Sequence, residues 1–453
     1  MADRTSRRAF VRNAALGSAA LAAGATPLAG APASTLARPA RARRQRGPND
    51  RVNLALIGAG GMGVNDTQTA LLIDGVELVA VCDLYDGRLA DAKERWGADL
   101  LTTRDYREVL GRDDVEAVII ATPDFWHREI AVAALAAGKA VYCEKPMVHS
   151  VAEGPSVLAA AEASGRTFQV GSQGLSSLGN ERARALYRDG AIGQLVYAEG
   201  YWARNSPTGA WQYPIPRDAS PATVDWDTYV SIAPDRPYDP LRFFRWRNYR
   251  DYGTGVSGDL FVHLFSSAHF ILDSLGPEQI VSTGGLRYWK DGREVPDVLL
   301  GMFDYGEQDG HPAFNMSLRV NFVDGTSGST YLRLVGSDGS MDVEWDDVYL
   351  RKNLTADPLD AFAAGKVAED IVAPEARRVM RPRDQTHYSA EPGYRGAHYD
   401  HFANFLAGVR DGAAVVEDAA FGFRAAAPAL LCNDSYFDRA IVRWDPLVMR
   451  VVE

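Results

Sequence analysis

The stretch Arg51-Val-Asn-Leu-Ala-Leu-Ile57-Gly58-Ala-Gly60-Gly61-Met62-Gly63 decides how this chain is read. A short apolar run enters a G-x-G-x-x-G turn, and a helix is expected to begin there and reach about residue 72. A second apolar run, 76–82, ends in Asp83, twenty residues beyond Gly63. Gly58 permits the tight turn, Gly60 lets backbone approach a pyrophosphate, and Gly63 lets helix pack closely on strand. The helix N-terminus offers free N–H groups and a positive dipole end to phosphates. A carboxylate at position 83 accepts hydrogen bonds from adenosine ribose hydroxyls and repels a 2′-phosphate. That favours NAD over NADP, with Arg88 as the one contrary charge.

Downstream the same unit repeats. The continuous apolar run 115–121 reads as a parallel strand buried on both faces. It leads into Thr122-Pro123-Asp124-Phe125-Trp126-His127 and a helix over 128–137. A strand over 140–143 leads to Glu144-Lys145-Pro146, and a helix (151–164) and strand (167–170) follow. Ligands of such sheets bind at the carboxyl ends of the strands. Gly58, Asp83, Thr122, Lys145 and Gln173 all fall at or just past those ends. The cofactor contacts expected are therefore Gly58, Gly60, Gly61, Met62, Gly63, Asp83, Thr122, Pro123, His127, Glu144, Lys145 and Gln173.

From about residue 195 the period changes to two. Strands are expected over 195–202, 279–289, 298–305, 314–323, 329–335 and 341–350, with hairpin turns at Asp324-Gly325 and Asp338-Gly339. Helices over 398–410 and 421–439 are expected to pack back on the first domain. The fold class is an α/β Rossmann dinucleotide-binding domain plus an α+β domain with a large, mainly antiparallel sheet open on one face. The boundaries expected are 1–48 for a signal and linker, 49–173 for the nucleotide domain and 174–453 for a substrate and oligomerisation domain.

The chain has 453 residues and a formal charge of −11, and its first 48 residues hold nine arginines and one acid. The remaining body carries −19, from 39 basic and 58 acidic residues. Such a body argues against nucleic acid, since nothing broad neutralises phosphates. Cys82, Cys143 and Cys432 form neither a disulfide framework nor a zinc pattern, so no metal is expected. Ser6-Arg7-Arg8-Ala-Phe10-Val-Arg12, followed by an Ala/Gly/Leu-rich stretch to about residue 33, resembles a twin-arginine export signal. It implies the translocation machinery as a partner and a periplasmic or extracellular location. An exported dinucleotide enzyme is expected to hold its cofactor tightly.

Asp259 and His263 stand four residues apart in Asp251-Tyr-Gly253-Thr-Gly255-Val-Ser-Gly-Asp259-Leu-Phe-Val-His263. On a helix from about residue 256 they share a face, as a general acid/base pair. With Gly58-x-Gly60-x-x-Gly63, Thr122-Pro123…His127, Glu144-Lys145-Pro146 and His401…Asn404-Phe405, the chain after residue 49 resembles the glucose–fructose oxidoreductase / inositol dehydrogenase / rhizopine-catabolism (Gfo/Idh/MocA) family. The resemblance implies catalytic roles for Lys145, Asp259 and His263. Lys145 holds the reacting oxygen, His263 takes the hydroxyl proton as hydride leaves for nicotinamide C4, and Asp259 orients the histidine or shares the substrate hydroxyls. It also implies homodimers or homotetramers formed through the sheet domain. Gly-Ser-Gln-Gly-Leu-Ser-Ser after Val170 departs from the family, where many members carry arginine, so substrate orientation does not transfer. His127, His269, His398 and His401 read as packing or capping residues; Arg245, Trp246, Arg247 and Tyr249 either line a sugar pocket or pack a subunit contact.

The reading is therefore an NAD-dependent oxidoreductase acting on a CH–OH of a sugar or polyol. A redox-neutral glycoside-cleaving enzyme, in which transient oxidation permits elimination, is the first alternative. A non-catalytic sugar-binding protein on the same fold is the second.

Overall fold

The computed structural model describes residues 51–326, 330–353 and 385–452, together with the backbone of 33–36. The twin-arginine motif and the linker after it lie outside the described residues. A short strand, β1 (Ala33–Leu36), joins the larger of two sheets.

The first sheet is six-stranded and wholly parallel, in the order β4-β3-β2-β5-β6-β7. Its strands are β2 (Val52–Ile57), β3 (Val76–Cys82), β4 (Leu101–Thr103), β5 (Ala117–Ile120), β6 (Ala140–Glu144) and β7 (Phe168–Gly171). Leu54, Ala55, Leu56 and the four residues of β5 are at most 2% exposed, as central strands covered on both faces must be. Helices α1 (Gly61–Leu71), α2 (Asp86–Trp96), α3 (Tyr106–Leu110), α4 (His127–Ala136) and α5 (Gly154–Ser164) supply the crossovers. The strand order reverses beside β2 and β5, and the glycine turn opens there.

The second sheet has eleven strands, in the order β1-β15-β14-β13-β12-β8-β11-β10-β9-β16-β17. Its centre comprises β8 (Leu195–Ala203), β9 (Gln279–Gly285), β10 (Val298–Tyr305), β11 (Phe314–Asn321), β12 (Thr330–Gly336), β13 (Gly339–Val343) and β14 (Asp347–Lys352). Strand β15 (Gln385–Ala390) and the pair β16 (Val442–Asp445) and β17 (Arg450–Val452) complete the two ends. Strands β10 and β11 alternate buried and exposed, so one face covers a core and the other meets solvent. The remaining long helices are α6 (Leu178–Arg188), α7 (Val262–Leu272), α8 (Ala397–Asp411) and α9 (Ala419–Asp438).

Two expectations about this sheet are corrected. Asp324-Gly325 closes no hairpin, because β8 lies between β11 and β12, parallel to one and antiparallel to the other. The turn is held by β8 itself: Tyr201 Oη donates to Asp324 Oδ2 at 2.7 Å. The run 341–350 is two strands, β13 and β14, joined by Glu344-Trp345-Asp346. Its one turn signal is Asp346-Asp347, with no Gly, Pro or Asn beside it, so alternation hid it.

The last helices do return to the first domain. Phe402, Phe405 and Leu406 of α8 are buried against Leu54, Leu56 and Tyr142, and Phe402 stacks on Tyr142 at 4.2 Å between centroids. Such aromatic anchors contribute about 3–5 kcal/mol each. His401 is a packing residue, its Nδ1 2.8 Å from Ser176 Oγ and its Nε2 2.7 Å from the Val170 carbonyl. Burial pushes its pKa down to about 4.

Glu417 ties three elements together. Its carbonyl accepts from Val170 N of β7, and its Oε1 accepts from Ser266 Oγ of α7 at 2.9 Å. It is fully buried with no cation against it among the described residues, and burial pushes its pKa up to about 8. The folded state therefore keeps a proton that the unfolded chain releases near pH 4.5, and stability falls as pH rises from there to about 8. Glu417→Gln is expected to gain stability over the parent between pH 5 and 8, at no more than about 1.4 kcal/mol per pH unit. Urea unfolding of both proteins across that range checks this; parallel stability–pH curves refute it.

Candidate active site

The glycine turn is built in two ways. Gly58 has φ +97°, and a Cβ there would lie 2.6 Å from the Ala121 backbone. A Cβ on Gly63 would lie 2.1 Å from the Gly58 carbonyl oxygen. Both glycines are required by the fold. Gly60 and Gly61 are different: a Cβ on Gly60 meets nothing nearer than Arg88 at 3.9 Å, and one on Gly61 meets nothing within 4 Å. No side chain caps the N-terminus of α1, which leaves the first amides, including those of Gly61, Met62 and Gly63, facing this open cradle. Thr122 Oγ1, across the turn, is buried with no partner among the described residues. Open backbone, free amides and an orphaned hydroxyl fit a bound pyrophosphate.

Asp83 closes the adenosine end. Its Oδ2 accepts from Ala59 N at 2.8 Å and its Oδ1 from Tyr85 N at 3.0 Å. The charge of Arg88, the feature that spoke for NADP, is answered by Asp83 itself at 3.3 Å. Pro123 begins the loop after β5, and His127 sits behind it. The ring nitrogens of His127 lie 2.7 Å from the Pro146 carbonyl and 3.0 Å from the Thr122 carbonyl. His127 thus meets the cleft through the two loops that it braces. Glu144 and Gln173 are buried and bonded to each other, and Gln173 Nε2 also donates to Tyr142 Oη at 3.0 Å. Burial raises the Glu144 pKa, with nearby Asp66 adding to the effect.

The three residues expected to do chemistry converge. Lys145, just past β6, donates from Nζ to Asp259 Oδ1 and to the Asp259 carbonyl, both at 2.8 Å. Asp259 lies in a π-helical turn, Ser257–Phe261, that runs directly into α7. Such turns are frequent at functional sites. Gly258 lets this one close, since a Cβ there would lie 2.2 Å from Thr254.

The expected Asp259–His263 contact is absent: Asp259 is drawn to Lys145 and also accepts from Arg247 Nε at 3.2 Å. Burial alone raises the Asp259 pKa, but Lys145 and Arg247 outweigh it and hold the carboxyl well below the usual range. His263 has no hydrogen-bond partner at either nitrogen among the described residues, and its Nδ1 is buried. Its ring lies 5.1 Å from that of Trp202 and 6.2 Å from that of Trp345. Burial, with the Lys145 charge, depresses its pKa well below the ordinary value, so the imidazole is neutral and free to accept a proton.

Sequence reasoning missed part of this wall. Trp345 arrives from the unexpected turn between β13 and β14, seated over Gly174, where a Cβ would lie 2.5 Å from the indole. Trp202, near the end of β8, and Arg204, just beyond it, stand two residues apart, the one signal that both lie on one face of the sheet. Arg247 was left between a pocket and a subunit contact; the structure brings it to Asp259.

Comparison with known proteins agrees with this geometry. Residues 52–172 match the model of the GFO_IDH_MocA family, described as "Oxidoreductase family, NAD-binding Rossmann fold". Inositol 2-dehydrogenase of Salmonella paratyphi B is 33% identical over 156 residues, 34% of this chain and 46% of the relative. A glycosyl hydrolase family 109 protein of Shewanella baltica is 30% identical over 190 residues, 40% of each chain. The chain thus spans about half the length of the curated relatives it matches. A levoglucosan dehydrogenase solved with NADH and levoglucosan superposes with a TM-score of 0.63 at 17% identity, over 87% of this chain and 99% of the other. That likeness extends the shared fold to both domains.

Gly60→Ala separates ligand from fold. The variant is expected to keep the parent's melting temperature while its NAD affinity falls about tenfold or more. Calorimetric unfolding and NAD titration check it; loss of stability would place the need for glycine in the fold instead.

Proposed function

We propose that the chain is an NAD-dependent oxidoreductase that removes hydride from a CH–OH of a sugar or polyol. The observation that carries this reading is the meeting of Lys145, Asp259 and a neutral, unpartnered His263 just beyond the carboxyl ends of the nucleotide-binding strands. NAD, when bound, supplies the hydride acceptor. Gly58 to Gly63, Thr122, Pro123 and Asp83 would hold it, with His127, Glu144 and Gln173 shaping the loops behind.

Lys145 orients the substrate hydroxyl by donating from Nζ, and Asp259 fixes that Nζ in place. His263 accepts the hydroxyl proton at Nε2, the nitrogen not sealed in the interior. Trp202 and Trp345 offer flat apolar surfaces to the C–H faces of a sugar ring and exclude water from it. The inositol and levoglucosan dehydrogenases support a polyol or sugar substrate. The glycosyl hydrolase relative keeps glycoside cleavage as the second reading, in which the same residues serve a redox-neutral cycle.

Export and assembly belong to the proposal. Ser6-Arg7-Arg8-Ala-Phe10-Val-Arg12 supports twin-arginine export of the folded protein to a periplasmic or extracellular site. The solvent face of the large sheet exposes Val196, Tyr197, Leu300 and Met302, which supports a homo-oligomer.

With added NAD, the protein is expected to form NADH on addition of a sugar or polyol. Release of aglycone without net NADH would select the second reading. Lys145→Met is expected to lower kcat/KM by about a hundredfold or more while NAD binding persists. Because the His263 pKa is depressed, the acid limb of the kcat/KM profile should lie below pH 6.5 and vanish in His263→Ala. A limb at or above pH 6.5 in the parent would remove His263 as the base.

A further inference from the structure

The cleft carries more positive charge than its own carboxylates answer. Lys145 and Arg247 both bear on Asp259 Oδ1, at 2.8 and 3.2 Å. Two further acids bear on these cations: Asp124 faces Arg247 from the loop after β5, and Glu144, beside Lys145, is pushed toward its neutral form by burial. Asp124 Oδ2 is already engaged by Thr254 N at 2.9 Å and Thr254 Oγ1 at 2.7 Å.

Arg204 is the third cation. It is exposed at the end of β8, and its guanidinium lies 5.9 Å from the Trp202 ring centroid, the indole that flanks His263. Among the described residues its side chain has neither an ion pair nor a hydrogen bond. Its charge nonetheless reaches both Asp259 and His263. In a chain of net charge −11, an unanswered arginine beside the reacting groups is a local reversal of sign. A cleft of this kind selects anions by field and by fork geometry.

We propose that the substrate is an anionic sugar, whose carboxylate or phosphate is received by Arg204 at the Trp202 edge of the cleft. This rests on the oxidoreductase reading given above. The two arginines have different duties. Arg247 is stacked on Trp246 at 4.1 Å and committed to Asp259, so it sets the position of that carboxylate. Arg204 is uncommitted and is the residue that discriminates. A neutral sugar leaves its charge in water at no cost and gains nothing from it. An anionic sugar gains a charge-assisted bond that also fixes which hydroxyl faces Lys145.

The test compares neutral and anionic partners on the full-length protein with saturating NAD. Glucose, galactose and mannose are set against glucuronate, galacturonate and the corresponding hexose phosphates. NADH formation gives turnover, and quenching of tryptophan fluorescence gives binding independently of turnover. At least one anionic sugar should exceed its neutral parent by about tenfold or more in kcat/KM. That advantage should shrink as ionic strength rises from about 0.01 M to about 1 M. In Arg204→Gln the rise should fall on KM for the anion, with kcat changed far less. Whether uronate or phosphate shows the preference identifies the group received. Neutral sugars used as well as all anionic ones, or a preference that survives Arg204→Gln, overturns the inference and leaves the oxidoreductase reading standing. Neither turnover nor binding of any sugar overturns that reading, and this inference with it.

Discussion

The buried ion pair between Lys145 and Asp259 is the contact on which the site depends. Lys145 follows directly on a strand of the nucleotide-binding sheet, and Asp259 sits in the π turn that launches α7. The two side chains are 9% and 5% exposed. Desolvating both ions is costly, and that cost is offset only because Lys145 Nζ also finds the Asp259 carbonyl and Asp259 also finds Arg247. Loss of Asp259 leaves the Lys145 charge buried without its carboxylate, at about 3–5 kcal/mol. The pair is thus a gauge of distance between the two domains. It is satisfied only when the nucleotide cradle and the turn that carries Asp259 stand at the separation seen here.

Around that gauge the second domain is fastened by contacts of a different kind. Asp124 receives Thr254, and Glu417 joins β7 to α7. These are mostly neutral or backbone bonds in dry surroundings, where an unpaired partner is expensive. The aromatic packing of α8 on Tyr142 adds the apolar part. The acidic body and the cationic cleft are then separable features. The surface charge belongs to solubility, and the three cations of the cleft are grouped about one carboxylate.

The nucleotide domain was legible because its signals are local. Two strands, a glycine turn and Asp83 fall within 33 residues, and β3 runs over the expected 76–82. The meeting of Lys145 with Asp259 was legible only through the order of motifs, since 114 residues separate them. The partner of Asp259 was misread because i,i+4 geometry assumes a regular helix and no stronger competitor, and both conditions fail at the π turn. Trp345 was missed because the alternation on either side of Asp346-Asp347 outweighed that pair as a sign of a reversal. The placement of β8 between β11 and β12 was equally hidden, because a parallel pairing across more than a hundred residues leaves no trace in either strand alone.

The glycine turn holds two histories in one motif. Gly58 and Gly63 are demanded by backbone contacts within the folded chain, whereas Gly60 and Gly61 border open space. A descendant that gave up its nucleotide while keeping its architecture would be held at the first two positions and released at the others. Side chains at those two sites, across a set of relatives, would therefore mark where in a lineage redox chemistry was abandoned and the fold retained as a receptor.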